Sequence, residues 1–196
     1  MTRRRRLVTV VVLSAVGVLS ALDHAGVFGY RGGDRATYRD AVATVTYAAD
    51  GDTIDINIPD GRRPGTRIRL WGVDCPETAH KGGEQDAYFG PEAKDFVRKA
   101  IVGQRVRLEF DPVRRTRDKY GRLLAYVYLV EGGEMLNELL IRRGLGYADR
   151  RFPHVFKHRF VQIEKKVMRQ KVGLWAGVKA EQMPAWRQRM DAAGAW

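Results

Sequence analysis

The chain has 196 residues, of which 44% are hydrophobic and 30% charged, a balance that suits one folded domain with extensions and excludes a disordered chain. The single cysteine, Cys75, excludes a disulfide within the chain. The net charge is +12; residues 1–34 hold five basic and two acidic residues, so +9 remains on the rest. Such a basic surface attracts nucleic acid, but also acidic membranes or acidic partners.

The N-terminus combines a basic cluster with an apolar run. Four arginines at 3–6 precede sixteen uncharged residues at 7–22, and Asp23 ends the run. This pattern is typical of a signal peptide or a short signal anchor, and it predicts an extracytoplasmic protein that is secreted or membrane-anchored. The run is slightly shorter than the roughly 17 to 25 residues of a spanning helix, and no clean A-x-A cleavage site follows, so both outcomes stay open. A buried first helix is the third interpretation, and the adjacent arginines disfavour it.

Three short runs after residue 40 are rich in β-branched residues and favour strands, at 41–48, 53–58 and 66–73. Turn residues separate them: Asp-Gly-Asp at 50–52 closes the first gap, and Pro-Asp-Gly with Pro-Gly at 59–65 closes the second. The pattern predicts a meander of three antiparallel strands.

The second half of the chain mixes helices and strands. A helix is predicted at 91–101, because Pro91 suits the first helical position and apolar residues then recur at helical spacing until Gly103. Strands follow at 105–110 and 123–130, and helices at 134–143 and 154–171. After residue 175 the pattern predicts no regular element.

This order of elements predicts an α+β fold, a five-stranded antiparallel β-barrel of the OB type with three α-helices, preceded by the hydrophobic signal or anchor helix. The OB fold presents a groove that suits oligonucleotides. We expect the domain at 35–175, between a leader and linker at 1–34 and a C-terminal tail at 176–196.

Acidic residues lie in two places that the meander brings to one edge of the sheet. Asp52 lies in the first hairpin turn, and Asp74 and Glu77 follow the third strand. Taken alone, Asp-Gly is a turn signal, and the later pair suits structure as well as function. Together, Asp52, Asp74 and the carbonyl of Cys75 suit an open Ca²⁺ site, because calcium binds carboxylate and carbonyl oxygens.

Two arginines flank these carboxylates. Arg69 lies in the third strand and Arg122 at the start of the fifth, and guanidinium groups bind phosphate oxygens in pairs. Each is equally compatible with an ion-paired surface arginine. An extended strand would separate Arg69 from Asp74 by roughly 16 Å. The two residues can share a phosphate only if the strand curls, and Gly72 permits that bend.

Six separated motifs resemble the staphylococcal nuclease, or thermonuclease, family over residues 41–175. They are DGDT (50–53), RLWGVDCPET (69–78), GPEA (90–93), DKYGRLLAY (118–126), LNELLIRRGL (136–145) and KVGLW (171–175). The resemblance implies a calcium-dependent enzyme that hydrolyses DNA and RNA phosphodiesters and leaves 3′-phosphates.

The same resemblance implies a role for each matching residue. Asp52 and Asp74 look like the calcium carboxylates, and Cys75 falls where the family supplies a carbonyl. Glu77 matches the general base. The remaining matches contact phosphate: Arg69 and Arg122 at the scissile group, Lys119 and Tyr120 near the terminal phosphate.

The chain departs from the family pattern at residues 148–152, where two base-stacking tyrosines are replaced by Ala-Asp-Arg-Arg-Phe. Tyr147 or Phe152 can take over the stacking, or either can belong to the core. Trp71 is interpreted as core. His154 and His158, four residues apart, suit a helix face better than a metal site, since a third ligand is missing nearby.

These features predict an extracytoplasmic calcium-dependent nuclease with Ca²⁺ as cofactor and DNA or RNA as substrate. We expect a monomer, with membrane contact through the N-terminal segment if that segment stays uncleaved. A non-catalytic OB module that binds single strands is the first alternative. The second is a basic domain that docks on anionic lipid.

Overall fold

The structure, a computed structural model, describes residues 33–79, 85–112 and 114–194. The predicted signal or anchor helix at 7–22 lies outside these residues. Within the described ranges, none of the helices has the length and hydropathy needed to cross a membrane. The chain divides into two units, residues 1–39 and 40–196. The described part of the first unit is helix α1 (Gly33–Tyr38) with the residue that follows it.

The second unit is built on a closed five-stranded barrel with strand order β1-β2-β3-β6-β5. The strands, in chain order, are β1 (Val42–Asp50), β2 (Thr53–Ile56), β3 (Thr66–Leu70), β4 (Val73–Asp74), β5 (Arg105–Glu109), β6 (Leu123–Leu129) and β7 (Tyr147–Ala148). Alternate residues of the barrel strands point inward, so Ile54, Ile68 and Leu108 are fully buried. The predicted α+β barrel is therefore confirmed.

One pairing corrects the antiparallel prediction. Four of the five barrel contacts are antiparallel, but β3 runs parallel to β6, with Ile68 opposite Leu123 and Leu70 opposite Ala125. Parallel neighbours need a long connection, and residues 71–122 supply it. Strand β6 therefore runs in the same direction as β3, the strand that leads into the candidate site.

The third predicted strand, 66–73, is broken in the structure. Strand β3 ends at Leu70, and Val73 and Asp74 form the separate strand β4, which pairs with β7. Between them, Gly72 has φ +80°, a conformation that side chains with a Cβ rarely adopt. The chain therefore turns sharply before Asp74.

The three predicted helices are present as α2 (Gly90–Ala100), α3 (Leu136–Arg142) and α4 (Lys157–Arg169). Pro91 occupies the first turn of α2, where its missing N–H costs nothing. Helix α4 buries Phe160 and Val167, two members of the predicted apolar stripe. Helical periodicity, together with Pro91 and Gly103 as boundary signals for α2, predicted these elements.

The tail contains structure that the sequence pattern does not predict. Short 3₁₀ turns at Gly173–Ala176 and Ala180–Gln182 lead into helix α5 (Ala185–Ala192). Trp186 joins a buried cluster with Tyr147, Val167, Leu174 and Trp175. The helix is short and mostly polar, so its stability comes from this packing rather than from its own pattern. The limits of the domain at 35 and 175 stay a prediction.

Candidate active site

A cleft of about 500 Å³ opens beside the barrel where β3 ends. Six of the eight predicted site residues line it: Arg69, Asp74, Glu77, Lys119, Tyr120 and Arg122. The other two, Asp52 and Cys75, are buried next to it: Asp52 pairs with Arg69, and the backbone N–H of Cys75 donates to Asp52. The structure therefore brings residues from four separate segments of the chain to one place.

Arg69 lies between the two predicted metal carboxylates. Its Nη1 is 2.7 Å from Asp52 Oδ2 and its Nη2 is 2.5 Å from Asp74 Oδ1. The hairpin turn before β2 supplies Asp52, and the bend at Gly72 returns the chain so that Asp74 faces the arginine. Both acidic side chains thus converge on one positive charge.

Asp52 is almost fully enclosed by protein. The backbone N–H of Cys75 donates to its Oδ2 at 2.7 Å, and the hydroxyl of Thr53 donates to its Oδ1 at 3.1 Å. Burial raises the pKa of Asp52 to about 6; the charge of Arg69 opposes this and that of Asp74 adds to it. A nearby cation would stabilise the charged form of such a buried carboxyl group.

The chemistry of these donors fits a hard cation. Asp52 and Asp74 offer oxygen ligands only, which calcium prefers. Within the residues that the structure describes, no group of three or more Asp, Glu, His or Cys side chains is arranged to hold a metal ion. A calcium ion here would take its other ligands from carbonyls and water. Burial raises the pKa of the Cys75 thiol, which disfavours a thiolate ligand, and the role of its carbonyl stays a prediction.

Glu77 is exposed to the cleft three residues after Asp74. Loss of water around its carboxyl group raises the pKa of Glu77 to about 7, helped by the charge of Asp52 and a hydrogen bond with Asp50. Asp50 in turn accepts a hydrogen bond of 3.0 Å from the hydroxyl of Thr78. The result is a carboxyl group that exchanges protons near neutral pH.

Arg122 enters the cleft from the start of β6. Asp118 accepts a 2.7 Å hydrogen bond from its Nε and so fixes the guanidinium. A weaker contact of 3.4 Å joins Arg122 to Thr53, which itself donates to Asp52. The ring of Tyr120 lies beneath both cations of this loop, 5.4 Å from Arg122 and 4.9 Å from Lys119. The second arginine is therefore linked to the carboxylate pair through one hydroxyl.

Two residues that sequence reasoning missed contact Asp74. Arg151 donates to its Oδ1 at 2.9 Å and is oriented by Asp149. Trp186 donates from its indole Nε1 to Oδ2 at 2.7 Å. The basic pair at 150–151 is visible in the sequence, but nothing local connects it or the tail tryptophan to Asp74, 112 residues before Trp186.

The candidate stacking residues separate clearly by exposure. Tyr147 is 1% exposed and packs against Trp175, whereas Phe152 is 42% exposed and lines the cleft. Phe152 stacks on Trp71, with ring centroids 5.6 Å apart and 25° between their planes. Trp71 also lines the cleft and is half-buried, so it is not the enclosed core residue that its strand position suggests.

The two histidines do not form a pair. His154 is half-buried and lies 3.3 Å from the hydroxyl of Tyr126, and burial lowers the pKa of His154 to about 4. His158 is exposed on α4. The environment of His154 therefore suits packing, and that of His158 suits contact with solvent.

Comparisons with known proteins identify the family of this chain. The family model described as staphylococcal nuclease homologue matches residues 67–177. A thermonuclease of Staphylococcus hyicus is 35% identical over 173 residues, 85% of this chain and 95% of that protein. A thermonuclease of Staphylococcus intermedius is 42% identical over 64% of this chain and 71% of its own length. A micrococcal nuclease of Shigella flexneri is 29% identical over 71% of this chain and 76% of its own. The chain belongs to the staphylococcal nuclease family.

Proposed function

We propose that the protein is a calcium-dependent nuclease that hydrolyses phosphodiester bonds of DNA, RNA or both and leaves 3′-phosphates. One observation carries the proposal: Asp52 and Asp74 converge on Arg69 in a cleft that also holds Glu77 and Arg122. Two acidic groups, a proton acceptor and two guanidiniums are the parts that phosphodiester hydrolysis requires. Names of relatives such as thermonuclease and micrococcal nuclease support the same reaction.

Arg69 and Arg122 bind the phosphate group in this proposal. Guanidinium groups form paired hydrogen bonds with phosphate oxygens and stabilise the charge that grows on them during attack by water. Arg122 is held in place by Asp118, which limits the rotamer entropy lost on binding. Arg69 is held by its two carboxylates.

Glu77 accepts the proton of the attacking water. Its pKa of about 7 leaves a large unprotonated fraction near neutral pH and still makes it basic enough to take a proton. Glu77 lines the cleft and is exposed there, so the attacking water can approach its partly enclosed carboxyl group.

Asp52 and Asp74, with the carbonyl of Cys75, would hold the calcium ion. When bound, calcium supplies positive charge that offsets the charge of the phosphate and of the two carboxylates. The raised pKa of Asp52 supports this assignment: burial raises it to about 6 even with Arg69 at 2.7 Å, so added positive charge would stabilise the carboxylate.

The cleft also offers contacts for the rest of the nucleic acid. Lys119 and Tyr120, which line the cleft, would contact a terminal phosphate, and the exposed Phe152, stacked on Trp71, would be a platform for a base. Stacking accepts every base, so this platform supports activity on single strands of any sequence.

The leader predicted at 1–34 supports an extracytoplasmic location, secreted or anchored, and a monomer is the simplest assembly for the proposed enzyme. If the anchor is retained, the protein contacts the membrane through this N-terminal segment.

A nuclease assay on the full-length chain, with calcium and then with a chelator, tests the proposed function. A nuclease degrades labelled single-stranded and duplex substrates only when calcium is present. A pure binding module retards the strands without cleaving them, and a lipid-docking domain binds anionic vesicles and leaves nucleic acid intact. Cleavage that continues unchanged in chelator would reject the calcium assignment.

A further inference from the structure

We infer that Trp186, in the C-terminal helix α5, is a positioning residue for Asp74 and strengthens calcium binding there; this rests on the proposed calcium role of Asp74. The indole N–H donates to Oδ2 of Asp74 at 2.7 Å. Trp186 is 7% and Asp74 9% exposed, so water competes little for this hydrogen bond. Trp186 also lies beyond residues 67–177, the range that the family model matches.

The hydrogen bond fixes the orientation of the carboxylate. Trp186 donates to Oδ2, while Oδ1 accepts from two residues that line the cleft, Arg69 at 2.5 Å and Arg151 at 2.9 Å. With one oxygen held from behind, the carboxylate plane cannot rotate freely. Donors of this kind orient metal ligands and commonly change metal affinity by about 10–100-fold. The indole is neutral, so it orders Asp74 without adding positive charge that repels calcium.

The position of Trp186 is itself fixed by its neighbours. The next residue, Arg187, is fully buried and pairs with the fully buried Glu164 of α4 at 2.7 Å. The guanidinium of Arg151 lies 4.9 Å from the ring of Trp186 and contacts Asp74 at the same time. The ion pair of Arg187 thus anchors helix α5 next to the indole, and Arg151 contacts the ring itself, which together give the N–H a defined direction.

The test is calcium binding to the full-length chain, measured by isothermal titration calorimetry without nucleic acid. Trp186→Phe keeps an aromatic ring and removes the N–H. Trp175→Phe is the matched control, because Trp175 belongs to the same buried cluster and its indole N–H has no hydrogen-bond partner among the described residues. We expect Trp186→Phe to weaken calcium binding about tenfold. Trp175→Phe is expected to stay within about twofold of the wild type.

Unfolding of the metal-free variants separates orientation from stability. Both substitutions are expected to lower the unfolding temperature, and only Trp186→Phe to lower calcium affinity. If Trp186→Phe does not fold, Trp186→benzothienylalanine replaces it, since that residue keeps the bicyclic ring and lacks the N–H. The same tenfold loss is expected.

Two results overturn the inference while leaving the proposed function intact: unchanged calcium affinity in the folded Trp186 variant, or an equal loss in the Trp175 control. A wild-type chain that binds no calcium overturns both together. A selective loss at Trp186 supports the positioning role.

Discussion

The guanidinium of Arg69 lies 2.5 Å from the carboxylate of Asp74, although an extended strand would place the two residues roughly 16 Å apart. The bend at Gly72 removes this separation, and the carbonyl of Val73 accepts a further 2.8 Å hydrogen bond from the same guanidinium. The candidate site therefore depends on one backbone conformation that glycine adopts readily.

Gly72→Ala is expected to destabilise the fold by about 2–5 kcal/mol. An L-residue in the left-handed region costs about 1–2 kcal/mol, and a Cβ at this position would lie 2.5 Å from the ring of His154, which adds about 1–3 kcal/mol of overpacking. Urea unfolding followed by circular dichroism measures the loss. Gly103→Ala is the control, since Gly103 has φ +88° but open space around the added atom. A loss at Gly72 no larger than at Gly103 would contradict the packing argument.

Glu77→Gln is expected to lower the cleavage rate by about 10²–10⁴-fold and to leave nucleic-acid binding intact. The amide cannot accept the proton of water but keeps the size of the side chain. Single-turnover cleavage and an anisotropy binding assay measure the two effects. Glu131→Gln, at an exposed loop position, is expected to cleave at the wild-type rate. Normal cleavage by the Glu77 variant would remove the general-base assignment.

The pH dependence of cleavage is expected to follow Glu77. With the pKa of Glu77 near 7, the rate rises as pH increases through 7, because the carboxyl group must lose its proton to act as a base. The measurement is kcat/KM between pH 5 and 9 on a short labelled substrate. In Glu77→Gln, the residual kcat/KM should no longer rise as pH increases through 7. The base assignment fails if both proteins show the same profile.

Phe152→Ala is expected to weaken binding of a single-stranded oligonucleotide by about 1–3 kcal/mol, the usual contribution of one stacked base. Binding is measured by anisotropy in the Glu77→Gln background, where cleavage is expected to be slow enough for binding to be followed with calcium present. Val155→Ala, at another exposed apolar position nearby, is the control. Equal affinities for all three proteins would exclude a stacking role for Phe152.

His154 is expected to make the fold less stable in acid. Burial lowers its pKa from the usual 6.5 to about 4, so the unfolded chain binds a proton at this residue between pH 6.5 and 4 and the folded chain does not. Stability is therefore lost as pH falls through that range. His154→Asn should flatten this part of the curve in thermal unfolding, whereas His158→Asn should retain the wild-type slope. Identical slopes in wild type and His154→Asn would disprove the assignment.

Arg187→Met is expected to cost about 3–5 kcal/mol of folding free energy, because it leaves the fully buried Glu164 with one ionic partner fewer. Chemical denaturation measures this loss of folding free energy. Arg189→Met, at an exposed position of the same helix, is expected to change stability by less than about 0.5 kcal/mol. A loss below about 1 kcal/mol at Arg187 would show that the ion pair does not anchor α5.

The barrel strands and the helices α2, α3 and α4 follow from local patterns. Strand β3 alternates buried and more exposed residues, and α4 repeats apolar residues at helical spacing, so short windows of sequence identify both. Helix α5 could not be predicted in this way, because its two buried residues are a tryptophan and an arginine. The buried arginine is stabilised by its ion pair with Glu164. Local patterns did not predict the parallel pairing of β3 with β6 either, since strand direction depends on the path of residues 71–122.

By itself, the sequence determined which chemical groups the protein has and in which local elements they lie: Asp52 in a hairpin turn, Asp74 and Glu77 after a strand, and Arg122 at the start of another. Only the tertiary structure decided the distances between them. It bent the chain at Gly72, placed Arg69 between two carboxylates and brought Trp186 to Asp74. The physical reason is that turn and strand preferences act over a few neighbouring residues, whereas a contact across 112 residues is fixed by the packing of a whole core.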